Sequence, residues 1–303
     1  MIKAISNPLH LALQTRLEHG ILVSDGATGT NLLQRGLPNG IPSEQWVLEK
    51  PGEINRLHHD FIKSGSDIIL TCTFGASPFR LQKYGLSEKA ETINKTAVQI
   101  ARSVAIPHTL VAGSIGPIGE MLEPYGTLTI NELQDNHKKQ ARWLIDAGVD
   151  IVLIETQFDI REAKIAVETI MELTEIPVIC SFSFDRGIRT LMGVSPKHVA
   201  SEFQNSGVFA LGINCGKSIQ DNLSVLVELR NVTELPIWFK PNAGLPRTDE
   251  QGVPQYDLSP DEMGAAAQLW VEAGANIIGG CCGTSPEHLK AIAAQVKIPR
   301  QPS

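Results

Sequence analysis

Short runs of apolar, largely β-branched residues recur along the chain. Each gives way to glycine, polar or cysteine residues before a longer amphipathic stretch begins. These runs predict strands at residues 21–24, 67–71, 109–112, 150–155, 177–182, 209–214, 236–240 and 276–279. They are apolar at nearly every position rather than at alternate ones, which fits strands covered on both faces, as in a parallel sheet. Between them, stretches such as 88–104, 130–147, 161–173 and 260–273 are amphipathic and of helical length.

The punctuation agrees with the pattern. Lys63-Ser64-Gly65-Ser66-Asp67, Asp146-Ala147-Gly148-Val149-Asp150 and Glu272-Ala273-Gly274-Ala275-Asn276 share one grammar, a helix that stops at glycine and turns directly into a strand. Asn205-Ser206-Gly207 repeats it before Phe209, and prolines 177 and 236 lead into two further strands. Eight such units predict a single α/β domain over residues 1–303, a (β/α)8 TIM-type barrel. Residues 1–20 are expected to add a short N-terminal helical extension built on Leu9, Leu11, Leu13 and Leu17.

Composition changes this picture little. The 303 residues are 42% hydrophobic and 19% charged, ordinary for a globular protein. A formal charge of -7 gives no reason to expect nucleic acid or an anionic membrane as partner. With no long apolar segment and no signal-peptide pattern, the expected location is cytoplasmic. The five scattered cysteines make a disulfide framework improbable, leaving reduced thiols or metal ligands.

In a parallel barrel the chemistry gathers where the strands end. There the chain places Asp25-Gly26-Ala27-Thr28-Gly29-Thr30, Thr71-Cys72-Thr73-Phe74-Gly75, Gly113-Ser114-Ile115-Gly116-Pro117 and Glu155-Thr156. Further along come Asn214-Cys215-Gly216, Pro241-Asn242-Ala243-Gly244 and Gly279-Gly280-Cys281-Cys282-Gly283-Thr284. Cys215, Cys281 and Cys282 could be small buried packing residues, but two vicinal thiols between glycines make poor packing material. Three thiolates suit Zn2+ with one position left open. A sulfur-rich zinc is a weak Lewis acid for water; its natural use is to hold a further thiol as thiolate. Carboxylates at buried strand ends are costly without a cation, so Asp25 and Glu155 are candidates to hold the ammonium of an amino-acid substrate, helped by the backbone at Gly26. Either could instead cap a helix or pair with an arginine. Neither glycine-rich stretch has phosphate-loop spacing. Cys180 reads as core and Cys72 as a non-ligand near the mouth. His58-His59, His137 and His288 lie on helical stretches and read as solvated.

Taken together and in order, these motifs resemble the homocysteine S-methyltransferase family over roughly residues 21–290. The resemblance implies that Cys215, Cys281 and Cys282 bind zinc, with homocysteine sulfur as fourth ligand. It implies that Asp25, Gly26, Thr73, Phe74 and Glu155 line the homocysteine pocket. In the methionine synthase branch an asparagine matching Asn242 can take the open position when substrate is absent. The betaine-using branch has tyrosine after the strand-four glutamate, where this chain has Thr156. Cys72 departs from relatives, which commonly carry asparagine there.

The activity implied is zinc-dependent methylation of homocysteine to methionine, within one-carbon metabolism. Residues 116–129 resemble the homocysteine module of cobalamin-dependent methionine synthase more than the S-methylmethionine enzymes, and a single barrel of this kind would take its methyl group from a methyl-corrinoid protein in trans. The alternatives are a small sulfonium or ammonium donor such as S-methylmethionine or betaine, another thiol or selenol as acceptor, or a non-catalytic zinc subunit that docks a corrinoid protein. Zinc-activated water for hydrolysis fits poorly with an all-sulfur ligand set.

Overall fold

A computed structural model of the chain describes residues 7–248 and 254–297. Its strands in chain order are β1 (Leu22–Val23), β2 (Ile68–Leu70), β3 (Leu110–Ile115), β4 (Ile151–Gln157), β5 (Val178–Phe182), β6 (Ala210–Cys215), β7 (Ile237–Pro241), β8 (Pro246–Thr248), β9 (Pro254–Tyr256) and β10 (Ile277–Ile278). All but β8 and β9 form one parallel sheet in the order β1-β10-β7-β6-β5-β4-β3-β2. A parallel bridge from Ser24 to Ile68 joins its two ends, so the sheet is a nearly closed barrel ringed by helices. The predicted TIM-type barrel is the observed architecture, each predicted strand overlapping an observed one.

The doubly apolar runs explain the closure. Along β4, Ile151 and Leu153 belong to an apolar cluster inside the barrel, while Val152 and Ile154 belong to the cluster between sheet and helices. The same alternation along β7 turns Trp238 inward and Phe239 outward. With both faces buried, each of these positions is apolar whichever way it points, which is why the runs are continuous rather than alternating. Helix stops follow the expected grammar: Gly148 (φ 93°) and Gly274 (φ 98°) adopt the left-handed conformation that a C-terminal stop requires.

The N-terminal helix spans Pro8–His19, with Leu13 and Leu17 packed on the inner cluster, plugging the barrel floor. Leu11, expected to help build this helix, is instead 66% exposed: at 3.6 residues per turn it lies on the face opposite Leu9, Leu13 and Leu17. The histidines also depart from expectation. His59 is exposed, but His58, His137 and His288 are buried. Each lies on the core-facing stripe of its helix, His58 among Ile54, Leu57 and Phe61, His137 between Leu133 and Ala141. Burial holds His58 down to about 4, so it is neutral. His288 caps its helix, its ring in hydrogen-bond contact with Ser285 and the Leu258 carbonyl.

The antiparallel β8–β9 hairpin had no counterpart in the sequence reading. It interrupts the connection from β7 to the helix Pro260–Glu272. Among the described residues no helix is long and apolar enough to cross a membrane.

Candidate active site

Strand register brings the three predicted cysteines together. Cys215 ends β6 opposite Pro241 of β7, and Cys281, three residues past β10, donates its backbone N–H to the Pro241 carbonyl at 2.8 Å. The Sγ atoms of Cys215 and Cys281 are 2.8 Å apart, and all three Sγ atoms lie within 4.8 Å of one another. Cys180 is fully buried within β5 and Cys72 is buried at the mouth; neither joins the group. The glycines around the pair are there for space. A Cβ at Gly280 would meet the Thr284 side chain at 2.3 Å, and one at Gly283 (φ 83°) would meet the Tyr256 ring at 2.2 Å.

Asn214, directly before Cys215, ties this group to β4. Its Nδ2 donates to Thr156 Oγ1 at 2.7 Å and faces the sulfurs of Cys215 and Cys281 at 3.7 and 3.9 Å. Its Oδ1 accepts from the Thr156 N–H at 2.9 Å and from Ser181 Oγ at 2.6 Å. Thr156 (φ 61°) and Cys215 (φ 58°) are the only described non-glycine residues at positive φ. A β-branched residue pays for that backbone conformation, and the two-point clamp from Asn214 holds Thr156 in it.

The same mouth opens into a cavity of about 400 Å³. Gly26, Thr73, Phe74 and Glu155 line it together with all three cysteines, so one space unites four of the five predicted substrate residues with the sulfurs. Thr73 is fixed by its Oγ1 bond to the Ser114 carbonyl, 2.7 Å. Glu155 is 6% exposed and accepts a hydrogen bond from Ser114 Oγ. Burial pushes its carboxyl up to about 7, against the opposing pull of Lys240.

Asp25 takes a different place from Glu155. It is fully buried and does not line the cavity. Its Oδ1 pairs with Lys240 Nζ at 2.8 Å and its Oδ2 accepts the Leu70 N–H at 2.7 Å. Asp25 therefore reaches the cavity through Lys240, which does line it. Burial pulls Lys240 down, but Asp25 and Glu155 outweigh it and hold the lysine above its ordinary value, protonated. Asn242 lies beside the cysteine pair with both ends of its amide engaged. Its Oδ1 accepts the Cys282 N–H at 3.0 Å and its Nδ2 donates to the Gly216 carbonyl at 2.8 Å.

Asn214, Lys240 and Tyr256 were missed in the sequence. Lys240 carried a usable signal, a charge ending the apolar run Ile237-Trp238-Phe239, the same argument applied to Asp25 and Glu155. Tyr256 reaches the cavity from the unforeseen hairpin.

The donor set fits a soft cation. Three sulfurs converge, and the Asn214 N–H faces two of them as acceptors. Its neighbours Cys281 and Cys282, with burial, hold the Cys215 thiol well above the usual cysteine range. Three bare thiolates this close repel one another, and a bound cation removes that cost.

Residues 22–296 match the homocysteine S-methyltransferase family. Methionine synthase from Mycobacterium leprae (strain TN) is 30% identical over 298 residues; the alignment covers 92% of this chain and 24% of that protein, so the chain spans about a quarter of its length. The metallated form of the homocysteine methyltransferase MmuM from Escherichia coli superposes with a TM-score of 0.81 at 26% identity, covering 95% of this chain and 100% of that one. The apo form of the same enzyme gives 0.73 at 25% identity, with the same coverage.

Proposed function

Because the chain belongs to the homocysteine S-methyltransferase family, we propose that it methylates homocysteine to methionine, holding the thiol amino acid in the mouth cavity with its sulfur at the three cysteines. The observation that carries this reading is the convergence of Cys215, Cys281 and Cys282 on the cavity that also exposes Glu155. Zinc is the proposed metal, held by these three cysteines; it would lower the pKa of the incoming thiol so that its proton leaves near neutral pH.

The chain's own residues do the rest. Glu155 accepts the substrate ammonium, and desolvation makes that contact stronger than it would be in water. Gly26, Thr73 and Phe74 shape the wall beside it. Asn214 fixes the direction of two sulfurs, so the nucleophile is positioned before the donor arrives. The substrate sulfur then attacks the methyl carbon in line: an S–C bond forms, the bond from carbon to the donor breaks, and its electron pair leaves with the donor. Without substrate, Asn242 is the proposed fourth ligand, through the Oδ1 that accepts the Cys282 N–H and has a second lone pair to offer.

The proposed donor is a methyl-corrinoid protein, in keeping with the likeness to methionine synthase. A cluster of reduced thiols this close suits the reducing cytosol, where the reaction is placed. The test is zinc-loaded protein and homocysteine supplied in turn with a methyl-corrinoid protein, S-methylmethionine, betaine and methyltetrahydrofolate. Methionine should form, with the corrinoid donor fastest. No methionine from any donor would refute the activity, and a faster small donor would replace the corrinoid partner.

A further inference from the structure

The cavity carries one cation that the reading above leaves without a task. On β7, Lys240 follows inward-facing Trp238 by two residues and so also points into the barrel, at the level where the cavity begins. It is 2% exposed. An ammonium has three N–H donors. One goes to Asp25 Oδ1 at 2.8 Å, and no second acceptor is within hydrogen-bond reach among the described residues. The Trp238 ring, 5.7 Å away, offers only a distant face. Asp25, by contrast, is satisfied from both sides, by Lys240 and by the Leu70 N–H. The donors on this buried wall that no protein acceptor takes belong to the lysine, and a buried ammonium favours an anionic partner for them.

An amino-acid substrate brings two charges. Glu155 accounts for the ammonium, and Lys240 is the only cationic residue among the described residues lining the cavity. The two side chains are close enough that Lys240 lowers the Glu155 carboxyl. An ammonium and a carboxylate on one carbon need such a pair of opposite charges side by side.

We propose that Lys240 binds the α-carboxylate of the thiol amino acid, and that the Asp25–Lys240 pair thereby restricts acceptors to thiols bearing a carboxylate. Asp25 is then a positioning residue, holding the lysine by one donor and leaving the others to the ligand. This rests on the homocysteine reading, and the experiment separates the two.

Calorimetric binding to the zinc-loaded full chain compares homocysteine with 3-mercaptopropylamine, which is homocysteine without its carboxylate. One charge-assisted contact predicts that the wild type prefers homocysteine by roughly 10- to 100-fold in Kd. Lys240→Met alone strands the Asp25 carboxylate and risks misfolding. The Asp25→Asn/Lys240→Met double variant removes both charges and leaves the net charge of the site unchanged. In that variant the ratio of the two Kd values should fall to within about threefold of unity. Taking the ratio cancels whatever the substitutions do to ammonium or sulfur binding, since both ligands share those groups. A folded double variant that keeps the wild-type ratio overturns the inference, as does a wild type that binds both ligands alike. If the wild type binds no homocysteine at all, it is the functional reading that fails.

Discussion

Glu155→Gln is expected to make the protein more stable at pH 8 while weakening its hold on homocysteine. In the folded chain burial pushes the Glu155 carboxyl up from 4.5 to about 7. The native state therefore binds its proton more tightly than the unfolded state does. Between pH 4.5 and 7 the native state carries the extra proton, so stability falls as pH rises through that window and stays low above it. At about 1.36 kcal/mol per pH unit, ionising this side chain in its buried place costs up to about 3 kcal/mol above pH 7. Glutamine keeps the shape and can still accept from Ser114 Oγ, but carries no charge to bury. Urea unfolding of chelator-treated protein at several pH values should find the variant more stable by about 1–3 kcal/mol at pH 8, the gap closing toward pH 4.5. A variant no more stable than wild type at pH 8, or a gap independent of pH, would refute the reasoning. A carboxylate kept at such cost is what a ligand-binding position looks like.

Other perturbations have defined outcomes. Homocysteine binding should weaken as the pH falls from 8 to 5, because burial favours the protonated Glu155 carboxyl and the group must be ionised to pair with an ammonium; calorimetry across that range reads this. Cys215→Ala should abolish both metal retention and methyl transfer, measured by metal analysis after gel filtration and by methionine formation. Asn214→Asp replaces an N–H facing two sulfurs with an acceptor at 3.7 and 3.9 Å, and should cost about 10- to 100-fold in metal affinity by chelator competition. Gly280→Ala forces a Cβ against Thr284, whose Oγ1 donates to the Cys281 carbonyl, and should destabilise by about 1–3 kcal/mol in thermal melts while loosening the metal.

How much of this was written in the sequence depends on what kind of contact each feature needs. The strands of the barrel were legible because burial on two faces leaves a continuous apolar run, and the helix stops because left-handed glycines are hard to replace. The three cysteines were legible for a related reason: parallel topology puts every strand end on one face, so residues 66 positions apart in sequence meet without further information. Pairings between side chains at one level of the barrel were not legible. Asp25 reads as a partner for a substrate ammonium, a helix end or an arginine until Lys240, 215 residues later, is found 2.8 Å from it. Asn214 looks like a spacer before Cys215 until its amide is seen gripping Thr156. The three misread histidines show the limit of residue type as a guide to burial: the phase of the helix decided it. Tyr256 depends on a hairpin whose strands begin with proline, a poor β signal.

The central claim is that Cys215, Cys281 and Cys282 form a metal centre whose remaining position receives the substrate sulfur. Zinc-edge X-ray absorption of the zinc-loaded protein, recorded with and without homocysteine, tests it most directly. Three sulfur ligands without substrate and four with it are predicted. A sulfur count that homocysteine leaves unchanged would contradict the account.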